Sequence, residues 1–140
     1  MKKSVSLLVL VVLWACSSSH SNKTNPLFEI LTQEATGGAP MEFYEILTEE
    51  NEIKMLLKDP KLKKKVRAND METCNYIILN LGEQPSDAYS ITIDNAVEAR
   101  DTLFLKVKKN AVLPQKEFTG TSYYPFTVVK VASKKPIKFL

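Results

Sequence analysis

The chain has 140 residues, with 19 Lys and Arg against 16 Asp and Glu, a formal charge of +3. That length suits one domain rather than two. The charge excess is too small to argue for general polyanion binding. A single histidine (His20), two cysteines, no Cys-x-x-Cys and no phosphate-cradling glycine loop leave no signature of common metal, redox or nucleotide chemistry.

Met1-Lys2-Lys3 is a short basic start, and Val5 to Trp14 is an apolar run broken only by Ser6. Ten helical residues cover about 15 Å, roughly half of a ~30 Å hydrocarbon core, so the run reads as a signal-peptide core rather than a membrane span. Leu13-Trp14-Ala15-Cys16 resembles the lipobox of bacterial type II signal peptides, with Trp14 bulkier than the small residue usual there. By that resemblance residues 1–15 are a lipoprotein signal peptide, and Cys16 begins the mature chain and carries the lipid. One acyl chain binds a bilayer only marginally at ~0.8 kcal/mol per buried CH₂, whereas two or three hold firmly. Losing Lys2 and Lys3 with the leader leaves 17 basic residues against 16 acidic. Residues 16–26 form the lipidated cysteine and a polar tether, in which His20 reads as a solvated linker residue. Ser17 lacks the aspartate that retains enteric lipoproteins at the inner membrane, and no acidic run follows. The expected location is therefore the cell envelope, at the outer membrane on its periplasmic side.

Residues 27–140 read as one β-rich domain. Leu27 to Thr32 and Glu42 to Leu47 are strand candidates separated by Thr36-Gly37-Gly38-Ala39-Pro40, whose glycines supply the positive φ of a turn. Glu49 to Lys58 is the one convincing helix, with Thr48 as the expected N-cap and Ile53, Leu56 and Leu57 on one face. Its acids lie near the positive end and Lys54 and Lys58 near the negative end, as the macrodipole favours. Asp59-Pro60 can cap a second short turn. Lys61, Lys63, Lys64, Lys65 and Arg67 form a dense basic stretch, best read as a solvated face; its alternative is a contact with anionic headgroups or an acidic partner.

Four more strands follow. Asn75 to Leu81 sets Ile77, Leu79 and Leu81 against Tyr76, Ile78 and Asn80. Ala88 to Asp94 and Thr102 to Lys108 alternate as half-buried strands do. Phe126 to Ala132 is apolar on both faces and is expected at a sheet centre. Pro136 to Leu140 suits a short edge strand. The expected fold class is α+β: mostly antiparallel β, sandwich-like or a curved sheet, built of hairpins with one main amphipathic helix on one face.

No catalytic group emerges. Cys74 has no domain histidine to activate it and reads as a buried or semi-buried thiol before a strand. With Cys16 acylated, Cys74 has no intrachain disulfide partner. The acids are scattered, no metal ligand set is seen, and a paired-carboxylate hydrolase is disfavoured. The chain is therefore expected to be no enzyme, with no cofactor beyond the covalent lipid. Nucleic acid is excluded as a partner by export, and no small-molecule substrate is evident.

Two stretches carry more than generic β pattern. Asn75-Tyr-Ile-Ile-Leu-Asn-Leu-Gly82 leads through a short loop to Tyr89-Ser-Ile-Thr-Ile93, and Tyr123-Tyr-Pro-Phe-Thr-Val-Val-Lys-Val131 follows. A strand ending in glycine, a loop leading to Tyr-Ser-Ile and a later Tyr-Pro-aromatic strand resemble the C-terminal domain of PrcB-type protease complex subunits. The Gly37-Gly38 turn and the Thr48-Glu49 helix start also fall where that family has them, so the resemblance extends over nearly all of 27–139. The family loop typically reads Thr-Gly-Gly before the tyrosine, where this chain has Ser86-Asp87-Ala88. Glycine there would permit positive φ, so either this loop takes another conformation or its contact surface has diverged.

The resemblance implies a membrane-anchored, non-catalytic accessory lipoprotein that binds and stabilises a secreted or envelope protease complex. It further implies a partner surface at Gln84, Pro85, Ser86, Asp87 and Tyr89, joined by Tyr123, Tyr124, Pro125 and Phe126. The competing reading has Tyr89 anchoring the core and Tyr124-Pro125 starting a strand. Two other functions compete: a small β-rich protease inhibitor, to whose Pro-containing loop Pro85 to Tyr89 is loosely similar, and a structural envelope lipoprotein with no protease partner.

Overall fold

The computed structural model describes residues 26–111 and 120–140. The expected leader, Cys16 and nearly all of the tether, with His20, lie outside the described residues. The elements run β1 (Phe28–Glu34), β2 (Glu42–Leu47), α1 (Glu50–Lys58), a 3₁₀ turn (Ala68–Glu72), β3 (Asn75–Leu81), β4 (Tyr89–Glu98), β5 (Leu103–Ala111), β6 (Phe126–Val131) and β7 (Ile137–Phe139). One sheet has the order β1-β6-β3-β2 and is antiparallel throughout. The other has the order β4-β5-β7. The chain is thus α+β and mostly antiparallel, as its patterning predicts.

Three layers result. Ile77, Leu79, Leu81, Val129 and Val131 on the inner face of the larger sheet pack against Ile91, Ile93, Leu103 and Leu105 of the smaller one. Tyr76 and Val128 on its outer face pack with Leu31 and Leu47 under Ile53 and Leu56 of α1. Burying a large apolar side chain of this kind contributes roughly 1.5–3 kcal/mol. This double coverage explains why β3 is buried on both faces, and why β6, apolar on both faces, lies between β1 and β3.

Several expectations need correction. β1 and β2 form no hairpin; they lie at opposite edges of the larger sheet, and among the described residues only the β4–β5 pair joins consecutive strands directly. β7 is an edge strand as expected, but it pairs parallel to β5, so the pairing is not wholly antiparallel. β4 runs four residues beyond Asp94, across a bulge between Ile93 and Asn95. The N-cap of α1 is Glu49 rather than Thr48. The Glu52 carboxylate reaches back to accept the backbone N–H of both Glu49 (2.8 Å) and Thr48 (2.9 Å), closing a capping box on Glu49.

Asp59 does cap a further turn: its carboxylate accepts the Lys61 N–H at 2.8 Å, and Leu62 and Val66 anchor the segment in the outer core. Lys61, Lys63, Lys64, Lys65 and Arg67 are accordingly exposed. Lys61 pairs with Glu34 at 2.7 Å and Lys65 donates to the Leu31 carbonyl, which ties this stretch to β1. Cys74 is a buried free thiol immediately before β3, as expected.

Candidate binding surface at one end of the sandwich

Three connections meet at the end of the larger sheet where β1 ends and β2 begins. They are residues 35–41, the stretch after β3, and the approach to β6. The Gly38 N–H donates to the Tyr124 carbonyl at 2.9 Å, and the Tyr124 N–H to the Ala35 carbonyl at 3.1 Å. Gln84 and Tyr123 exchange both backbone bonds, at 2.8 and 2.9 Å, as an isolated antiparallel bridge. The Leu81 N–H donates to Pro125 at 2.9 Å and the Glu83 N–H to Pro40 at 3.0 Å. The Ser122 hydroxyl donates to the Glu83 carboxylate.

Asn80 is the centre of this arrangement. Its carbonyl accepts the Ala39 N–H at 2.9 Å and its amide donates to the Ala39 carbonyl at 2.9 Å and to that of Met41. It is 1 % exposed, so these bonds replace the water it has lost. Its role was not anticipated from sequence. The available signal was a single amide on the face that Tyr76 and Ile78 otherwise make apolar.

The glycine pair also divides its work. Gly37 has φ +100° and turns the chain, as its residue type predicts. Gly38 has ordinary φ but no room for a side chain, since a Cβ there would lie 2.2 Å from Asn80 Oδ1 and 2.7 Å from the Tyr124 carbonyl.

The fold therefore brings the two predicted contact segments together, joined at Gln84 and Tyr123. Their exposure is uneven. Pro85 and Asp87 are exposed; Gln84, Ser86, Tyr123 and Tyr124 are half-buried. Tyr89 opens β4 and packs against the inner core, as the competing reading has it. Pro125 is buried and contributes its carbonyl, while Phe126 packs against the outer core. Among the described residues only glycines have positive φ, so Ser86-Asp87-Ala88 does not use the left-handed backbone that glycines permit. Instead the Ser86 hydroxyl accepts the Ala88 N–H at 3.1 Å and closes a local turn.

Beside this end, α1 leaves part of the sheet's outer face uncovered. Phe43, Ile78 and Phe126 line an open groove of about 310 Å³, closed at one side by Asn80 and the Gly37-Gly38 turn. On the opposite face, Glu42 pairs with Lys109 and accepts the Tyr44 hydroxyl at 2.9 Å. The hydrogen bond from Lys109 holds the Glu42 carboxyl below its usual range. Burial, then Glu42, pushes the Tyr44 phenol up. Among the described residues no group of three or more His, Cys, Asp or Glu could hold a metal ion. No helix among them is long and apolar enough to cross a membrane.

In class, the described residues form a two-sheet β domain backed by one α-helix, with an end surface knitted from three connections. Residues 75–132, from β3 to just past β6, match the family model described as PrcB C-terminal. The match is shorter than the 27–139 over which the resemblance was read, leaving β1, β2, α1 and β7 outside it. No curated protein and no solved structure matches the chain at a significant level.

Proposed function

We propose that this chain is a membrane-anchored accessory lipoprotein, without catalytic activity of its own, that binds and stabilises a secreted or envelope protease complex. The observation that carries this reading is the PrcB C-terminal match over residues 75–132. It is supported by the junction of the Gln84 and Tyr123 segments, which set exposed Pro85 and Asp87 beside two half-exposed tyrosines on a hydrogen-bonded base. Aromatic groups held on rigid backbone suit a protein interface, because little conformational freedom is lost on binding.

The test is a crosslinked pull-down from native membranes with the full chain, comparing wild type with the Gln84→Arg, Asp87→Arg double variant. Wild type is expected to capture a protease. The variant is expected to capture at least roughly tenfold less, a loss of ~1.4 kcal/mol or more, with an unchanged thermal melt. Undiminished capture would remove this loop from the interface, and absence of any protease from the wild-type eluate would overturn the accessory role. Deleting the protein is expected to lower the yield of active protease, whereas an inhibitor's deletion would raise turnover.

The anchor has its own test. Cys16→Ser is expected to move the protein from the membrane to the soluble fraction, with intact mass lacking acyl chains. Retention at the membrane would count against lipidation.

A further inference from the structure

We propose that the free edge of β2 is a docking site for an extended peptide segment, which would add to the larger sheet as a further antiparallel strand. This proposal is independent of the protease reading. The Leu81 N–H points to Pro125, so in the β3 pleat Ile77, Leu79 and Leu81 face β6 while Tyr76, Ile78 and Asn80 face β2. Their partners Leu47, Glu45 and Phe43 therefore face β3. The N–H and C=O groups of Glu42, Tyr44 and Ile46 point away from the sheet, and among the described residues none of them has a hydrogen-bond partner.

The other three edges are protected. β1 is interrupted by a bulge, and Lys65 donates to its Leu31 carbonyl. On β4 the Ile91 carbonyl accepts the Thr127 hydroxyl and the Gln33 amide, and a bulge follows. β7 is only three residues long and begins after Pro136. Bulges, short length and covering side chains are how sheets block unwanted pairing. β2 carries only its glutamates.

The surroundings of β2 define what would bind. On the outer face it borders the groove lined by Phe43 and Ile78; on the inner face, a second open groove of about 240 Å³ is lined by Ile46, Pro136 and Ile137. The alternating side chains of an added strand would fall toward one groove or the other. Glu45 lies two residues from Phe43 on the outer face, is exposed, and has no ion pair among the described residues. The fitting occupant is thus a short extended segment of another protein. It carries an apolar residue opposite Phe43 and, two positions away on the same face, a Lys or Arg opposite Glu45.

The probe is the capped peptide Val-Lys-Val-Phe-Val-Thr, titrated onto the full lipidated chain in micelles and followed by residue-resolved amide exchange. The expected result is saturable protection of the Tyr44 and Ile46 amides. The same peptide N-methylated at its valines should give no protection, because those N–H groups would face β2. Glu45→Lys, at a solvated position, should leave the melt unchanged and weaken binding roughly two- to fivefold or more. Equal binding by the N-methylated peptide, or protection confined to other strands, would overturn the proposal. So would a dimer protecting these amides without peptide, because a second copy would then be the occupant. Protease capture without peptide binding would remove the β2 site and leave the accessory role standing; peptide binding without protease capture would do the reverse.

Discussion

Gly38→Ala is expected to destabilise the domain by about 3 kcal/mol, read as a fall in thermal midpoint of roughly 10 °C or more. The added methyl carbon would meet the Asn80 amide oxygen at 2.2 Å and the Tyr124 carbonyl at 2.7 Å. Neither can yield alone. Asn80 is held by three hydrogen bonds to residues 39 and 41, and the Tyr124 carbonyl is the acceptor for Gly38 itself. Relief requires separating 35–41 from the approach to β6, which also loosens the Gln84–Tyr123 bridge. Gly120→Ala is the control. Gly120 has φ +75° but open space around it, so only backbone strain of ~1–2 kcal/mol is expected. If the two variants melt alike, Gly38 is not held by the close approach described. The Gly38 variant should also lose partner capture, since the candidate surface rests on the same bonds.

Asp70→Ala should cost about the same, 2–4 kcal/mol, at the opposite end of the sheet. One oxygen of Asp70 accepts the Lys130 ammonium at 2.6 Å, the Tyr76 hydroxyl at 2.8 Å and the Arg67 N–H at 3.1 Å. This joins the 3₁₀ turn to β3 and β6. Without the carboxylate, a fully buried phenol and a largely buried ammonium both lose their partner. Tyr76→Phe removes one bond and no charge, and is expected to cost only about 1 kcal/mol.

The same group makes stability depend on pH. Burial pushes the Asp70 carboxyl up, but the hydrogen bonds from Lys130, Tyr76 and the Arg67 backbone outweigh it and hold it below its usual range. Folding therefore favours the ionised form. The stabilisation is full above the unfolded value of about 3.9 and disappears as pH falls through the lower folded value. Wild type should lose thermal midpoint between about pH 5 and pH 2 more steeply than Asp70→Ala. Parallel curves would show that Asp70 contributes no charge-dependent stability.

How much of this was legible varies with the range of the interaction. β2 and β3 have the bounds expected from alternation, and the basic stretch is solvated as its composition suggests. Each follows from local rules: a period of two along a strand, or the cost of burying charge. The start of α1 is also decided locally, because the Glu52 carboxylate reaches back three residues and closes its capping box on Glu49 rather than Thr48. By contrast, Asn80 looked like one polar residue in an apolar strand, and β2 looked like half of a hairpin. The partners of Asn80 lie about 40 residues away in sequence, and β2 pairs with β3, on the far side of α1, rather than with β1.

Residue patterning alone specifies the class of the fold, its central strand, the buried thiol of Cys74 and the resemblance that the 75–132 match supports. The strand order, the junction of Gln84 with Tyr123, the close approach at Gly38 and the place of β2 at a sheet edge emerge only once the chain is folded. The division is physical. Side-chain alternation records which face of a strand is buried, whereas the choice of neighbouring strand depends on how both faces of the larger sheet are covered at once.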